Sequence, residues 1–235
     1  MSELRTLLAE TTERVLSQAP DWAAVESAGL DKVLVAERDG GFGGTWDDAF
    51  IVVRTLGYHA VDLPLAEAIL DSAHVKDRDL YGTMMLAAKM AGALCAALDL
   101  SVEYTRQRQQ FGKPLSSFQA IQQQLAVFAE ESAAANMAAA AAFHAAGSIE
   151  EEGHDAAFAI ACAKLRANQA ARIGTAIAHQ VHGAMGFTAE YSLHRLTQRL
   201  WKWSSERGNE RYWAGWIGAR IAARGAENFW PDLTG

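Results

Sequence analysis

The chain has 235 residues, half of them hydrophobic and 21% charged, enough for a sizeable buried core in one large domain or two small ones. A formal net charge of −7 argues against a nucleic-acid surface, which needs clustered lysine and arginine to neutralise phosphates. No run of eighteen or more apolar residues is present, so no membrane span is expected, and the start, Met1-Ser-Glu-Leu-Arg-Thr6, lacks the apolar stretch of a secretory signal. Cys95 and Cys162 both fall in apolar helical surroundings and read as buried free thiols in a reducing, cytoplasmic setting.

Strand signals are nearly absent, with no alternating β-branched or aromatic stretch between turn dipeptides. Leu7, Leu8 and Val15 belong to an amphipathic helix ending near Pro20. The glycine-rich run 40–44 has no strand before it and no GxGxxG spacing, which argues against a dinucleotide loop. Thr45 is placed to cap the next helix, with Asp47 and Asp48 in its positive first turn and Phe50, Val53 and Leu56 on one face. A short helix over 64–71 follows. Then come three long helices. The first, Leu80 to Gln107, is apolar almost all round (Met84, Met85, Ala88, Ala91, Leu94, Cys95, Leu98, Val102), as befits a helix buried between others. The second opens on Ser116-Ser-Phe-Gln119, a capping-box pattern, and runs through Ile121, Leu125 and Phe128 into an alanine-rich stretch ending at Gly147. Asn136 and Phe143 keep helical spacing there, so packing explains the alanines. The third opens on a second such pattern, Ser148-Ile-Glu-Glu151, and reaches His182. Short connections favour antiparallel neighbours.

The architecture read from periodicity is all-α: a helical bundle over 76–235 with a small helical N-terminal lobe over 1–75. Five of the seven tryptophans fall between Trp201 and Trp230, with Tyr212 and Phe229 among them. Such density marks either a packed C-terminal helix or a partner and ligand surface, and both remain open. His179 and His182 share a helix face, but no third ligand stands at useful spacing, so no metal site is expected.

Tyr104-Thr-Arg-Gln-Arg108-Gln-Gln-Phe111-Gly112-Lys-Pro114, followed by Phe118-Gln119-Ala-Ile-Gln122, resembles the signature of the acyl-CoA dehydrogenases. Gln180-Val-His-Gly183-Ala-Met-Gly186-Phe, about seventy residues later, is similar to that family's Gln-x-x-Gly-Gly-x-Gly-Tyr loop. Ala36-Glu-Arg-Asp-Gly-Gly-Phe-Gly-Gly44 resembles its Pro-Glu-x-x-Gly-Gly loop. The resemblance covers most of the chain. It implies FAD held across a subunit interface, with Arg108, Gln110 and Phe111 facing Gln180, Gly183 and Ala184 of a second subunit. A guanidinium suits a diphosphate because its donor fork is planar and permanently charged, and small residues at 183 and 184 let backbone approach the cofactor.

The same resemblance exposes two gaps. Only eight residues, Asp71 to Arg78, stand where the family has a β-domain covering flavin and acyl-CoA. The family's base is a carboxylate that takes the α-proton of an acyl-CoA while a hydride leaves the β-carbon for the flavin. Its expected position, some twenty residues after Gly186, is Arg207, with Glu206 beside it; the alternative position, near Gly82, carries no carboxylate. The resemblance thus implies either an FAD-dependent acyl-CoA dehydrogenase with Glu206 as base or a non-catalytic partner that completes the FAD site of a full-length homologue. It further implies an acyl-CoA substrate, a homo-oligomer or heteromer, and an electron-transfer flavoprotein as acceptor. A helical binding protein without flavin is the third reading, and the intact 108–111 motif argues against it.

Overall fold

Capping side chains set where several of the helices begin. The computed structural model describes residues 3–18, 20–147, 156–188 and 191–228. Asp21, with its carboxylate on the Ala24 amide, starts α2 (Trp22–Ser27) after α1 (Glu3–Leu16). Asp48 closes the start of α3 (Trp46–Tyr58): its carboxylate accepts from the Thr45 amide and hydroxyl, both at 2.8 Å. α4 (Leu65–Ser72) leads through a five-residue connection to α5 (Arg78–Gln107), capped by Asp77. The Asp71–Arg78 ion pair spans this short join. α6 (Gln119–Gly147), α7 (Ala156–His182), α8 (Leu193–Ser205) and α9 (Glu210–Arg224) complete the helices described.

α5 is the central element, packed by α3, α6, α7 and α8. α7 runs in the same direction as α5, bringing His182 to Tyr104, and α6, α8 and α9 run back along them. Two glycines set the α3–α5 crossing. A Cβ on Gly57 would overlap the Lys89 carbonyl, and one on Gly92 would overlap that of Arg54, so the backbones touch. Arg54 then reaches past α5 and donates to Asn136 Oδ1 at 2.7 Å. One hydrophobic cluster extends from Leu8 in α1 to Trp203 in α8.

Several expectations are corrected. In α1 the buried face is Leu8, Thr12 and Leu16, while Leu7 points outward: spacing by four keeps residues on one face, and Leu7 falls off it. A 3-10 turn, Leu115–Ser117, delays the start of α6 to Gln119, so the Ser116–Gln119 capping box does not form; Gln122 reaches back to the Ser116 carbonyl instead. The Ser148–Glu151 cap lies outside the described residues. The sequence carries no clear strand signal, yet Gln109–Gln110 (β1) and Lys113–Pro114 (β2) form a minimal hairpin. α5 emerges from the core at its far end, where Val102 is exposed. By length and composition α5 is apolar enough to cross a membrane, but 67% of its most apolar window is buried against other helices. Cys95 and Cys162 are free thiols, though only partly buried, and burial pushes the Cys162 thiol pKa up.

Candidate functional site

The far end of α5 presents the signature. Arg108 closes the helix, its amide bonded to the Tyr104 carbonyl at 2.8 Å. The loop between β1 and β2 is two residues, Phe111 and Gly112, with φ of +54° and +77°. A two-residue hairpin needs this mirror-image turn, which glycine adopts freely and phenylalanine only under constraint. Phe111 is 92% exposed. Arg108 and Gln110 are exposed too, and their side chains make no hydrogen bond or ion pair with any described residue.

Gln180, Gly183 and Ala184, at the end of α7 and in the 3-10 turn Gly183–Phe187, lie at the same end; Gln180 and Ala184 are exposed. Gly183 has φ +56° and nothing within 4 Å of where a Cβ would stand, so its backbone is open to a large neighbour. One chain carries both signature sets side by side. The Tyr104 ring stacks on His182 at 4.4 Å, and Tyr191 meets Tyr104 edge-on at 6.1 Å. His182 Nδ1 donates to the Ala178 carbonyl at 2.7 Å, which leaves Nε2 to accept from the Tyr191 hydroxyl at 3.3 Å. Burial pushes the His182 pKa down from the ordinary imidazole value. Beside this cluster, between α7 and α8, lies a cavity of about 610 Å³ walled by His179, Phe187 and Trp201. His179 stacks between the other two rings and bonds to the Thr197 hydroxyl at 3.0 Å. Among the described residues no group of three or more His, Cys, Asp or Glu side chains is placed to hold a metal.

The opposite end of α5 holds the positions expected for the base. Gly82 and Tyr104 are 22 residues apart on one helix, which puts the two ends about 33 Å from each other. After α8 the chain turns through Glu206, Arg207 and Gly208, the last two at φ +52° and +95°. The Arg207 guanidinium lies directly over Gly82: a Cβ there would stand 2.6 Å from Cζ. Its Nη1 also donates to the Asp79 carboxylate at 3.2 Å. The two alternative base positions therefore touch, and neither is a carboxylate. Glu206 pairs with Lys202 at 3.6 Å and, with Glu67, Gly82 and Lys89, borders a cavity of only about 70 Å³, room for two or three waters. On the other side of Arg207 a cavity of about 500 Å³ opens between Asp79, Thr83, Tyr212 and Trp213.

A residue that sequence reasoning missed organises this turn. Lys164 of α7 is wholly buried, and its ammonium donates to Asn168 Oδ1 at 2.7 Å, the Trp203 carbonyl at 3.0 Å and the Gly208 carbonyl at 3.2 Å. Burial pushes its pKa down to about 8. The signal was a lone lysine inside Ala161-Cys-Ala-Lys-Leu165-Arg-Ala167, although helical spacing alone does not say which turn it reaches. The tryptophans divide: Trp203 and Trp213 are buried, Trp201 is 49% exposed, and Trp230 and Phe229 lie outside the described residues.

This fold, with its paired signature ends, defines a class. The family profile described as acyl-CoA dehydrogenase, C-terminal domain, matches residues 80–205. The chain belongs to the acyl-CoA dehydrogenase family. It is 33% identical over 141 residues to acryloyl-CoA reductase (NADH) of Anaerotignum propionicum, covering 60% of this chain and 32% of that protein. It is 34% identical over 156 residues to acyl-CoA dehydrogenase FadE34 of Mycobacterium tuberculosis, covering 63% and 22%. The chain thus spans about a third or less of those two relatives. Among solved structures, a chain of the Tcur3481-Tcur3483 steroid ACAD G363A variant superposes with a TM-score of 0.82 at 18% identity, covering 94% of this chain and 98% of that one. A chain of the ChsE4-ChsE5 complex from Mycobacterium tuberculosis gives 0.80 at 14%, with coverages of 94% and 98%. At those identities the likeness is one of fold.

Proposed function

We propose that this chain is a subunit of an acyl-CoA dehydrogenase that completes the FAD site of a full-length homologue and does not itself take the substrate's α-proton. The observation that carries this reading is the Arg207 guanidinium seated over Gly82. A guanidinium stays protonated throughout the working pH range and cannot accept a proton, and Gly82 leaves no side chain to substitute for it. The carboxylates nearby are ill placed. Asp79 stands fully exposed at the surface beside Arg207, and Glu206 is paired with Lys202 against a cavity too small for an acyl chain.

The signature end fits the diphosphate and adenine side of FAD. Arg108 offers an exposed cation with no partner among the described residues, Gln110 and Gln180 offer free amides, Phe111 an exposed ring, and Gly183 and Ala184 an open backbone. When bound, the flavin supplies the hydride acceptor. The described residues offer no cover for its ring, and the five-residue join at 73–77 leaves none to be built there, so that cover comes from the partner. Two chains with this fold come from assemblies named for two components, which supports a heteromer over a homo-oligomer. In this reading the acyl-CoA is bound and oxidised on the partner, in the cytoplasm, with an electron-transfer flavoprotein as acceptor.

The test is the visible spectrum. Purified alone the chain is colourless; co-expressed with a full-length acyl-CoA dehydrogenase from the same source it yields a yellow complex that bleaches with acyl-CoA. A yellow chain that bleaches by itself would return catalysis to this subunit, with Glu206 as the candidate base.

A further inference from the structure

We infer that Lys164 is a positioning residue: its buried ammonium fixes the turn between α8 and α9 and so decides where the side chain at position 207 is aimed. A helix C-terminus leaves carbonyls without partners, and the end of α8 and the turn after it carry such groups. Three are claimed by side chains from other elements. Lys164 takes the carbonyls of Trp203 and Gly208, Asn168 Nδ2 adds a second donor to Gly208 at 3.3 Å, and Trp213 Nε1 takes that of Arg207 at 2.9 Å. The lysine's three N–H groups meet three acceptors, the full complement of an ammonium. A cation at the negative end of α8 is favoured by the helix dipole as well.

This over-determination is what the turn requires. Arg207 has φ +52°, a conformation a non-glycine residue keeps only when its surroundings hold it. With the carbonyls on either side of position 207 pinned to α7, its Cβ has one direction, toward Gly82 on α5. The clamp acts on backbone atoms, so it aims whichever residue stands at 207, and the inference holds whether or not the chain is a non-catalytic partner.

The experiment follows indole N–H exchange by NMR in the full chain. Trp213 Nε1–H reports the turn through its bond to the Arg207 carbonyl, and Trp201 Nε1–H, bonded to the Thr175 hydroxyl at 3.1 Å, reports the α7–α8 contact away from it. Lys164→Met is expected to speed exchange at Trp213 by about tenfold or more while Trp201 stays within about twofold. Asn168→Ala, a milder change that keeps the lysine, is expected to move Trp213 in the same direction by less, and it carries the test if Lys164→Met does not fold. Arg207→Ala is expected to leave Trp213 protected, because the acceptor is a backbone carbonyl. Unchanged exchange at Trp213, or equal acceleration at both indoles, would overturn the inference: the lysine would then be idle or only a general support of the bundle.

Discussion

The two ends of α5 are finished in opposite ways. At its C-terminal end Arg108, Gln110, Phe111 and Gln180 stand exposed, with polar groups that find no partner among the described residues. At its N-terminal end the exposed Arg207 guanidinium bonds to Asp79 at the surface and lies over Gly82, and the carbonyls of the neighbouring turn are claimed by Lys164, Asn168 and Trp213. Buried polar groups must find partners within the protein, whereas exposed ones can wait for a ligand. The contrast therefore separates exposed polar side chains without partners from a turn whose backbone carbonyls are already taken. Both ends are organised by aromatic packing, so the difference lies in the polar atoms.

The largest expected effect is at the exposed end. Arg108→Ala should cut the flavin retained by the co-expressed complex by about tenfold or more, read as flavin absorbance per mole after desalting, because a desolvated guanidinium–diphosphate contact is charge-assisted and bidentate. Arg108→Lys should recover only part, since an ammonium lacks the fork. The free chain's stability should move by less than about 0.5 kcal/mol, as for other exposed substitutions. Full flavin retention in Arg108→Ala would break the comparison at this end.

The next effect is the turn's dependence on pH. Lys164 has its pKa lowered from 10.5 to about 8 by burial, so the native state gives up this proton before the unfolded chain does. The penalty for burying the charge is complete below pH 8 and is relieved between about 8 and 10.5. Wild type should therefore gain stability relative to Lys164→Met over that interval, by at most about 3 kcal/mol. Urea unfolding at pH values of about 7.5 and 10, on either side of the lowered pKa, reads the difference. Tyr58, hydrogen-bonded to Asp99 and pushed up to about 12, titrates in both proteins and cancels. No differential gain would mean that the ammonium is not held as buried as its contacts indicate.

A smaller effect measures the interlock itself. Gly82→Ala should move wild-type stability by less than about 1 kcal/mol, because the new methyl meets only the far end of the exposed Arg207 side chain, whose displacement offsets part of alanine's helix-forming advantage. In an Arg207→Ala background nothing has to move aside, and the full gain of up to about 1 kcal/mol should appear, since alanine is the better helix former. Thermal unfolding of the four proteins gives the cycle. An equal change in both backgrounds would show that Arg207 does not fill the space over Gly82.

What the sequence disclosed follows from how local each feature is. The helix 80–107 is legible because its apolar residues repeat within one element, and 108–111 because the signature is contiguous. The meeting of Arg207 with Gly82 is not, because 125 residues (207 minus 82) separate them and only the α5–α8 packing brings them together. Nor does composition say which tryptophans are core: Trp201 and Trp203 are two apart on α8, so they face different sides of it. The Ser116 cap misled because a capping pattern does not reveal that a 3-10 turn will consume it. Lys164 stayed hidden for a related reason. A buried lysine looks like any other in sequence until its acceptors, supplied here by a turn some forty residues later, are in place.

The smallest expected effect is the most discriminating. Glu206→Gln removes an ion pair with Lys202 whose partners are 42% and 73% exposed, worth at most about 1 kcal/mol. If the base belongs to the partner subunit, turnover of the complex should stay within about twofold of wild type, since an amide of the same shape still borders the small cavity. If Glu206 is the base, the amide cannot take a proton and turnover should fall by about a hundredfold or more, the scale of a lost general base. A loss of that size would also require the Arg207–Gly82 contact to open during catalysis, because in the closed arrangement Glu206 faces a cavity of about 70 Å³ on the side away from the larger opening. The turn would then be a moving part instead of a fixed one, and the Lys164 clamp would be what it moves against.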